Sequence, residues 1–249
     1  MPRIRRSVSE SGIYHVVIRG CGRQLIFSDD SDRNKFLNLV EEKIVARGLD
    51  VLAWCLMDNH VHLVLEDPAG DLSAAMHALN TAYARYFNAK TGHVGDVFQG
   101  RFRSDPIETD AYLLCAIRYV HENPQVAGIM RAEQYPWSSY RGYLLGHRLL
   151  TPDRLFAVIG GREIFEAFSK ETSNCEIQAR LIQGCRDGDA SEIARIALGG
   201  MDPAAVKGLA EQKRAEAIAR LGCIGLSAYR IERLTGIGRT LVRRILSQH

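Results

Sequence analysis

No apolar run in these 249 residues approaches the roughly 18–20 needed to cross a bilayer, so no membrane span is expected. The opening Met1-Pro2-Arg3-Ile4-Arg5-Arg6 is charged, but the apolar segment of a secretory signal does not follow it. Cysteine forms no Cys-x-x-Cys pair. The six cysteines stand scattered at 21, 55, 115, 175, 185 and 223, which in a chain this long reads as reduced, mostly buried thiols of a cytoplasmic protein. A strong charge of one sign is also lacking, since the net charge is only +3. That value alone does not mark a nucleic-acid binder, but its distribution is uneven. Residues 1–24 hold five Arg against one Glu, and residues 213–249 hold eight Lys or Arg against two Glu. Basic segments of this kind suit a polyanion, and they also occur on ordinary solvated surfaces. With 46% hydrophobic and 24% charged residues, the chain reads as globular, with room for one large domain or two modest ones.

What is present centres on Asn59-His60-Val61-His62. Residues 51–65 read as two apolar runs flanking Asp58-Asn59, which predicts a strand, a tight turn and a second strand. Alternation along the second strand puts His60 and His62 on one face and Val61 on the other. Two imidazoles at period 2 can bind one metal ion, and a third ligand must then come from elsewhere. The competing reading is two polar side chains on a half-exposed strand.

Around this hairpin, Ile13 to Ile18 reads as a first strand. The glycines of Arg19-Gly20-Cys21-Gly22-Arg23 would let backbone approach a phosphate, or form a plain turn. A helix is expected from Asp29 to Arg47, with Phe36, Val40 and Ile44 on one face. A second is expected from Leu72 to Asn88, its face marked by Leu72, Met76, Leu79, Tyr83 and Phe87. Tyr83, Tyr86 and Phe87 could stack bases, although their spacing fits a core. Val97 to Arg103 reads as a basic strand with Arg101 and Arg103 placed for phosphates. Thr109 or Asp110 caps a third helix over 111–122, which Asn123-Pro124 is expected to end. Tyr119 and Asn123 lie one turn apart and share a side, so a hydroxyl nucleophile and an amide oxygen are available to complete a site with two histidines. Tyr112, two turns earlier and about 10 Å along the axis, is the runner-up nucleophile. The order of elements predicts an α+β fold, an antiparallel sheet with helices packed on it, and Pro136-Trp137-Ser138-Ser139-Tyr140 should pin the chain back onto the core.

Taken together, Tyr14-His15-Val16, Arg19-Gly20, Leu56-Met57-Asp58-Asn59-His60-Val61-His62, Phe98-Gln99-Gly100-Arg101-Phe102, Arg118-Tyr119-Val120-His121-Glu122-Asn123-Pro124 and Pro136-Trp137-Ser138-Ser139-Tyr140 resemble the single-tyrosine HUH transposases. The group is IS200/IS605-like, and the REP-associated tyrosine transposase branch is most similar. Many relatives carry Asn before Arg-Gly where this chain has Ile18. The resemblance covers about residues 3–145 and implies a ferredoxin-like HUH domain. It implies Tyr119 as nucleophile and His60, His62 and Asn123 as ligands of Mg²⁺ or Mn²⁺. It further implies nicking and strand transfer on single-stranded hairpin DNA of REP type, through a 5′-phosphotyrosine with a 3′-OH leaving group. A phenol of pKa about 10 is mostly protonated at neutral pH and needs a metal or base to lose its proton. Expected DNA contacts are Arg3, Arg5, Arg6, Arg19, Arg23, Arg101 and Arg103.

The resemblance fades after about residue 145. Residues 146–188 read as linker and short helices, and 189–249 as an all-α domain with helices at 189–197, 203–221 and 227–246. Leu226 to Leu246 resembles a helix-turn-helix, with Ser227 as cap, Gly236 at the turn and Ile231, Ile237, Val242 and Ile245 buried. Glu232 occupies a position where a small residue is more usual. Arg239, Thr240, Arg243 and Arg244 would then face duplex DNA. A monomer or homodimer fits equally. Two other readings stand beside the enzyme: a regulator that works through the helix-turn-helix alone, and a metal hydrolase whose nucleophile is water.

Overall fold

In this computed structural model the described residues are 8–170, 191, 194–195, 197–198, 200–223, 226 and 228–246. Arg3, Arg5, Arg6, Ser227, Cys175 and Cys185 lie outside them. Four strands are formed by the β-branched and apolar runs: β1 Ile13–Arg19, β2 Asp50–Met57, β3 His60–Glu66 and β4 Arg103–Pro106. They make one antiparallel sheet in the order β2-β3-β1-β4. Helices α1 (Asp30–Lys43) and α2 (Leu72–Thr91) connect β1 to β2 and β3 to β4. This is the β-α-β-β-α-β order of a ferredoxin-like unit, in which the first strand is central although it is first in sequence.

Asp29 caps α1 by accepting from the Asp32 amide at 3.0 Å, which supplies an otherwise orphan donor with a partner. The Asp32 carboxylate is fully buried and is held by Lys90 at 2.6 Å and Tyr86 at 2.8 Å, locking α2 to the start of α1. Phe27, Phe36 and Tyr83 pack edge to face between the helices at 5.1–5.6 Å, geometry that aromatic quadrupoles favour. The aromatic residues of α2 therefore belong to the core and its ion-pair network.

Two expectations change here. The basic strand begins at Arg103, because the chain from Val97 to Phe102 is used differently: Cys21 donates to the Val97 carbonyl at 2.9 Å and Gln99 to that of Arg19 at 2.8 Å. The third helix, α3 (Asp110–Val126), runs past Pro124 instead of stopping before it. That proline removes the N–H the Val120 carbonyl would have received and crowds that carbonyl with its ring.

Residues 135–143 fold back along β2. Leu56 donates to the Trp137 carbonyl and Ser139 to that of Trp54, each at 2.9 Å. The Tyr135 hydroxyl reaches the Leu56 carbonyl at 2.7 Å, and the Tyr143 hydroxyl that of Leu52. Helices α4 (Tyr140–Leu145), α5 (Asp153–Ile159) and α6 (Phe165–Lys170) complete this first unit, with Phe165 stacked on Tyr143 at 4.7 Å.

In the second unit, a 3-10 turn at Pro203–Gly208 precedes α7 (Glu211–Cys223), so the helix expected over 203–221 is two elements. Helices α8 (Ala228–Thr235) and α9 (Arg239–Leu246) follow. Val206, Ile218, Leu221, Ile231, Ile237, Val242 and Ile245 form their buried cluster. Gly236, at φ +68°, ends α8 with its N–H on the Glu232 carbonyl at 2.8 Å, a left-handed position that suits glycine.

Candidate active site

The two-residue turn Asp58-Asn59 is held from several directions. Gly20 donates to the Asn59 carbonyl at 2.9 Å and Ile26 to that of Asp58 at 2.8 Å. The Arg33 guanidinium binds the Asp58 carboxylate and lies 5.6 Å from the ring centres of both Phe27 and Trp137. A Cβ on Gly20 would fall 2.3 Å from the Gln24 carbonyl oxygen, so this glycine permits a close approach of backbone to backbone. Cys21–Arg23 is a 3-10 turn joined to the loop before β4, and Arg23 and Arg101 are exposed on these neighbouring loops.

From the turn, β3 carries His60 and His62 to the same face, their ring centres 4.9 Å apart. Register places Arg19 opposite His60, Val17 opposite His62, and Arg103 opposite Val17 on the far side. Helix α3 crosses this face. The Tyr119 ring meets the His62 and His15 rings edge to face at 5.5 and 5.8 Å. One turn on, Asn123 donates to the Tyr119 carbonyl at 2.7 Å and its side chain lies beside the His60 ring. The helix is fastened at neighbouring positions. His121 pairs with Ser139 at 2.8 Å, and buried Arg118 reaches the Phe168 carbonyl at 3.2 Å over the Phe168 ring.

The structure thus brings together Tyr119, His60, His62, Asn123, Arg19 and Arg103, and adds His15, which sequence reasoning missed. Alternation along β1 puts His15 on the face of Arg19, but only the pairing of β1 with β3, strands far apart in the chain, brings it to His62. His15 Nε2 lies 3.0 Å from His62 Nδ1, and His60 Nδ1 lies 2.7 Å from Asn59 Oδ1. Across β1, Asp105 stands opposite His15 and is ion-paired to Arg103 at 2.6 Å.

All three imidazoles are neutral at pH 7. Burial pushes His15 down to about 3, aided by the charge of Arg103. Burial and then Arg19 push His60 down to about 3, against a smaller opposing effect of the Asn123 side chain. His62 lies well below its ordinary value through burial, then His60, His15, Arg19 and Arg103. Neutral imidazole is the form that binds a cation.

Compared with known families, residues 8–123 match the model described as "Transposase IS200 like". Over those residues the chain is similar to that family. The match ends at Asn123, so every residue of the cluster around Tyr119 falls inside the matched residues. Among solved structures, the chain is similar to a REP-associated tyrosine transposase bound to a REP hairpin, at 18% identity and a TM-score of 0.47, over 61% of this chain and 90% of that one. It is also similar to a protein from Deinococcus radiodurans R1 classed as a candidate transposase, at 20% identity and a TM-score of 0.35, over 49% and 97%. No curated protein matches the chain.

Beyond the matched residues, Thr240, Arg243 and Arg244 are exposed on α9. Arg239 is engaged within its own unit. Its Nε lies 2.7 Å from the Glu232 carboxylate, and its guanidinium lies 5.0 Å from the Tyr229 ring centre. The Glu232 carboxylate also accepts the Arg239 backbone N–H at 3.2 Å, capping α9. No helix among the described residues is long and apolar enough to cross a membrane.

Proposed function

We propose that this chain is a transposase, a metal-dependent nickase and strand transferase for single-stranded hairpin DNA of REP type, with Tyr119 as nucleophile and a 5′-phosphotyrosine intermediate. The observation that carries the reading is the placement of the Tyr119 ring 5.5 Å from the His62 ring, with Asn123 one turn on and beside the His60 ring.

Among the described residues, no three His, Cys, Asp or Glu side chains make a ready metal group. The donor set is two imidazoles and an amide oxygen, and it fits Mg²⁺ or Mn²⁺ if phosphate and water oxygens fill the remaining positions. His60, His62 and Asn123 would hold the ion, which when bound polarises the scissile phosphate and neutralises its developing charge.

The remaining work falls to the chain. The Tyr119 oxygen forms the bond to phosphorus and gives up its proton, while the bond to the 3′ oxygen breaks and that oxygen leaves as a hydroxyl. The phosphodiester energy is retained in the tyrosyl ester, so a 3′-OH can reverse the attack and join strands. Arg19 and Arg103, beside the histidines, are suited to phosphates on either side of the cut, and Arg23 and Arg101 extend the basic surface along the neighbouring loops. Arg3, Arg5 and Arg6 belong to the same proposed contact set by sequence alone. We assign catalysis to residues 1–145, with 146–188 connecting to a DNA-binding helix-turn-helix in 189–249. Supporting that assignment, Gly236-Ile237-Gly238 separates α8 from α9, and Thr240, Arg243 and Arg244 are exposed where Val242 and Ile245 are buried.

The test is a denaturing protein gel after incubation with Mn²⁺ and labelled single-stranded hairpin oligonucleotides. A band of protein plus DNA fragment is expected, absent in Tyr119→Phe and His60→Ala and retained in Tyr112→Phe. Cleavage without that band would make water the nucleophile, and binding without cleavage would favour a regulator.

A further inference from the structure

His15 and His62 are almost wholly buried, at 2% and 4% exposure. Their rings lie within 6° of parallel with centres 5.2 Å apart, yet the nearest nitrogens, His15 Nε2 and His62 Nδ1, are only 3.0 Å apart. Centres so much farther apart than nitrogens place the rings edge to edge. That is a hydrogen bond between imidazoles, with one N–H directed at the other ring's lone pair. A neutral imidazole has one donor nitrogen and one acceptor, so two arrangements exist. If His15 Nε2 donates, His62 carries its own proton on Nε2 and offers nothing there to a cation. If His62 Nδ1 donates, His62 Nε2 is a lone pair, and His15 carries its own proton on Nδ1, a buried nitrogen with no hydrogen-bond partner.

His60 shows which arrangement the site is built for. Its Nδ1 faces the Asn59 side-chain oxygen at 2.7 Å. An amide oxygen only accepts, so His60 Nδ1 must donate, which leaves Nε2 of His60 as the lone pair. We propose that His15 does for His62 what Asn59 does for His60. His15 is a positioning residue that accepts the His62 Nδ1–H, fixes that tautomer and presents His62 Nε2 to a divalent cation. The inference rests on His60 and His62 being metal ligands, as proposed above. Ligand histidines commonly have the second nitrogen tied in this way, and loss of the partner weakens metal binding about 10–100-fold. Here the partner is a second histidine on the neighbouring strand.

The tautomer can be read without metal, in the unaltered chain. In a long-range ¹H–¹⁵N correlation spectrum of the full-length protein at neutral pH, His62 should show a protonated Nδ1 and an unprotonated Nε2. The opposite assignment would overturn the inference. Mn²⁺ titration followed by electron paramagnetic resonance gives the second readout. His15→Phe keeps a ring but has no acceptor, and should bind Mn²⁺ about 10–100-fold more weakly than the unaltered chain. In His15→Gln the amide oxygen can accept the same N–H, so most of the affinity should return. Unchanged affinity in His15→Phe, with binding lost in His62→Ala, would refute the role of His15 and leave the metal reading intact. Affinity unchanged in both His60→Ala and His62→Ala would refute the metal reading itself.

Discussion

Asn123 donates its side-chain amide to the backbone carbonyl of Tyr119 across 2.7 Å. The bond fixes which end of the amide points back along the helix, and so directs the oxygen away from that carbonyl. In the proposed site this oxygen is a ligand. Asn123→Ala should therefore slow formation of the DNA adduct at least about tenfold. Asn123→Asp sets a carboxylate against the Tyr119 carbonyl and loses the donor, so it should also lower stability by about 1–2 kcal/mol. Single-turnover adduct assays and urea unfolding of the two variants separate these effects. Equal adduct rates in Asn123→Ala and the unaltered chain would remove Asn123 from the site.

Arg33 is the brace of the histidine hairpin. It binds the Asp58 carboxylate in the turn and lies over Phe27 and Trp137. The Asp58 side chain is half exposed, so solvent weakens the ion pair, and the ring contacts supply part of the effect. Arg33→Ala should cost about 1–2 kcal/mol in urea unfolding, and Arg33→Lys should recover only part, since an ammonium lacks the planar face. Full recovery with lysine would mean that charge alone matters.

Gly20→Ala tests the close approach at the end of β1. Its Cβ would sit 2.3 Å from the Gln24 carbonyl oxygen and 3.0 Å from the Ile26 side chain, so backbone must move. A loss of about 1–3 kcal/mol is expected. Because Gly20 also donates to Asn59, adduct formation should fall with it. A variant as stable as the parent would show that the loop yields freely.

Acid should destabilise the fold through His15 and His121. Burial lowers both from 6.5 to about 3, with Arg103 adding to the effect on His15. Below pH 6.5 the unfolded chain takes up protons at these positions and the folded chain does not until near pH 3. Stability is therefore complete above 6.5 and falls with pH, by up to about 1.4 kcal/mol per pH unit for each histidine. The melting temperature should drop between pH 7 and 5, and less steeply in His121→Gln. Parallel slopes in the two proteins would exclude His121 as a contributor.

Some of this site was legible in the residues themselves. The hairpin declares itself because Asp58-Asn59 interrupts two β-prone runs, and period 2 then fixes the shared face of His60 and His62. Tyr119 and Asn123 are linked by helix geometry alone. His15 was not legible in this way, because its partnership with His62 depends on β1 lying beside β3, a choice made by the whole sheet. Pro124 misled for a related reason: a helix held by Arg118 and His121 can give up one hydrogen bond near its end. Glu232, an ill-fitting residue by sequence, is explained by Arg239, whose backbone and side chain it binds seven positions later.

The segment 135–143 that lies along β2 has a consequence for self-association. An open sheet offers two flanks for strand addition by a second copy, and here the β2 flank is already taken by the chain's own carbonyls, amides and hydroxyls. The flank beyond β4 is four residues long and ends in Pro106, which has no N–H to give. Among the described residues, that short, donor-poor stretch is what the sheet leaves for strand addition by a second copy.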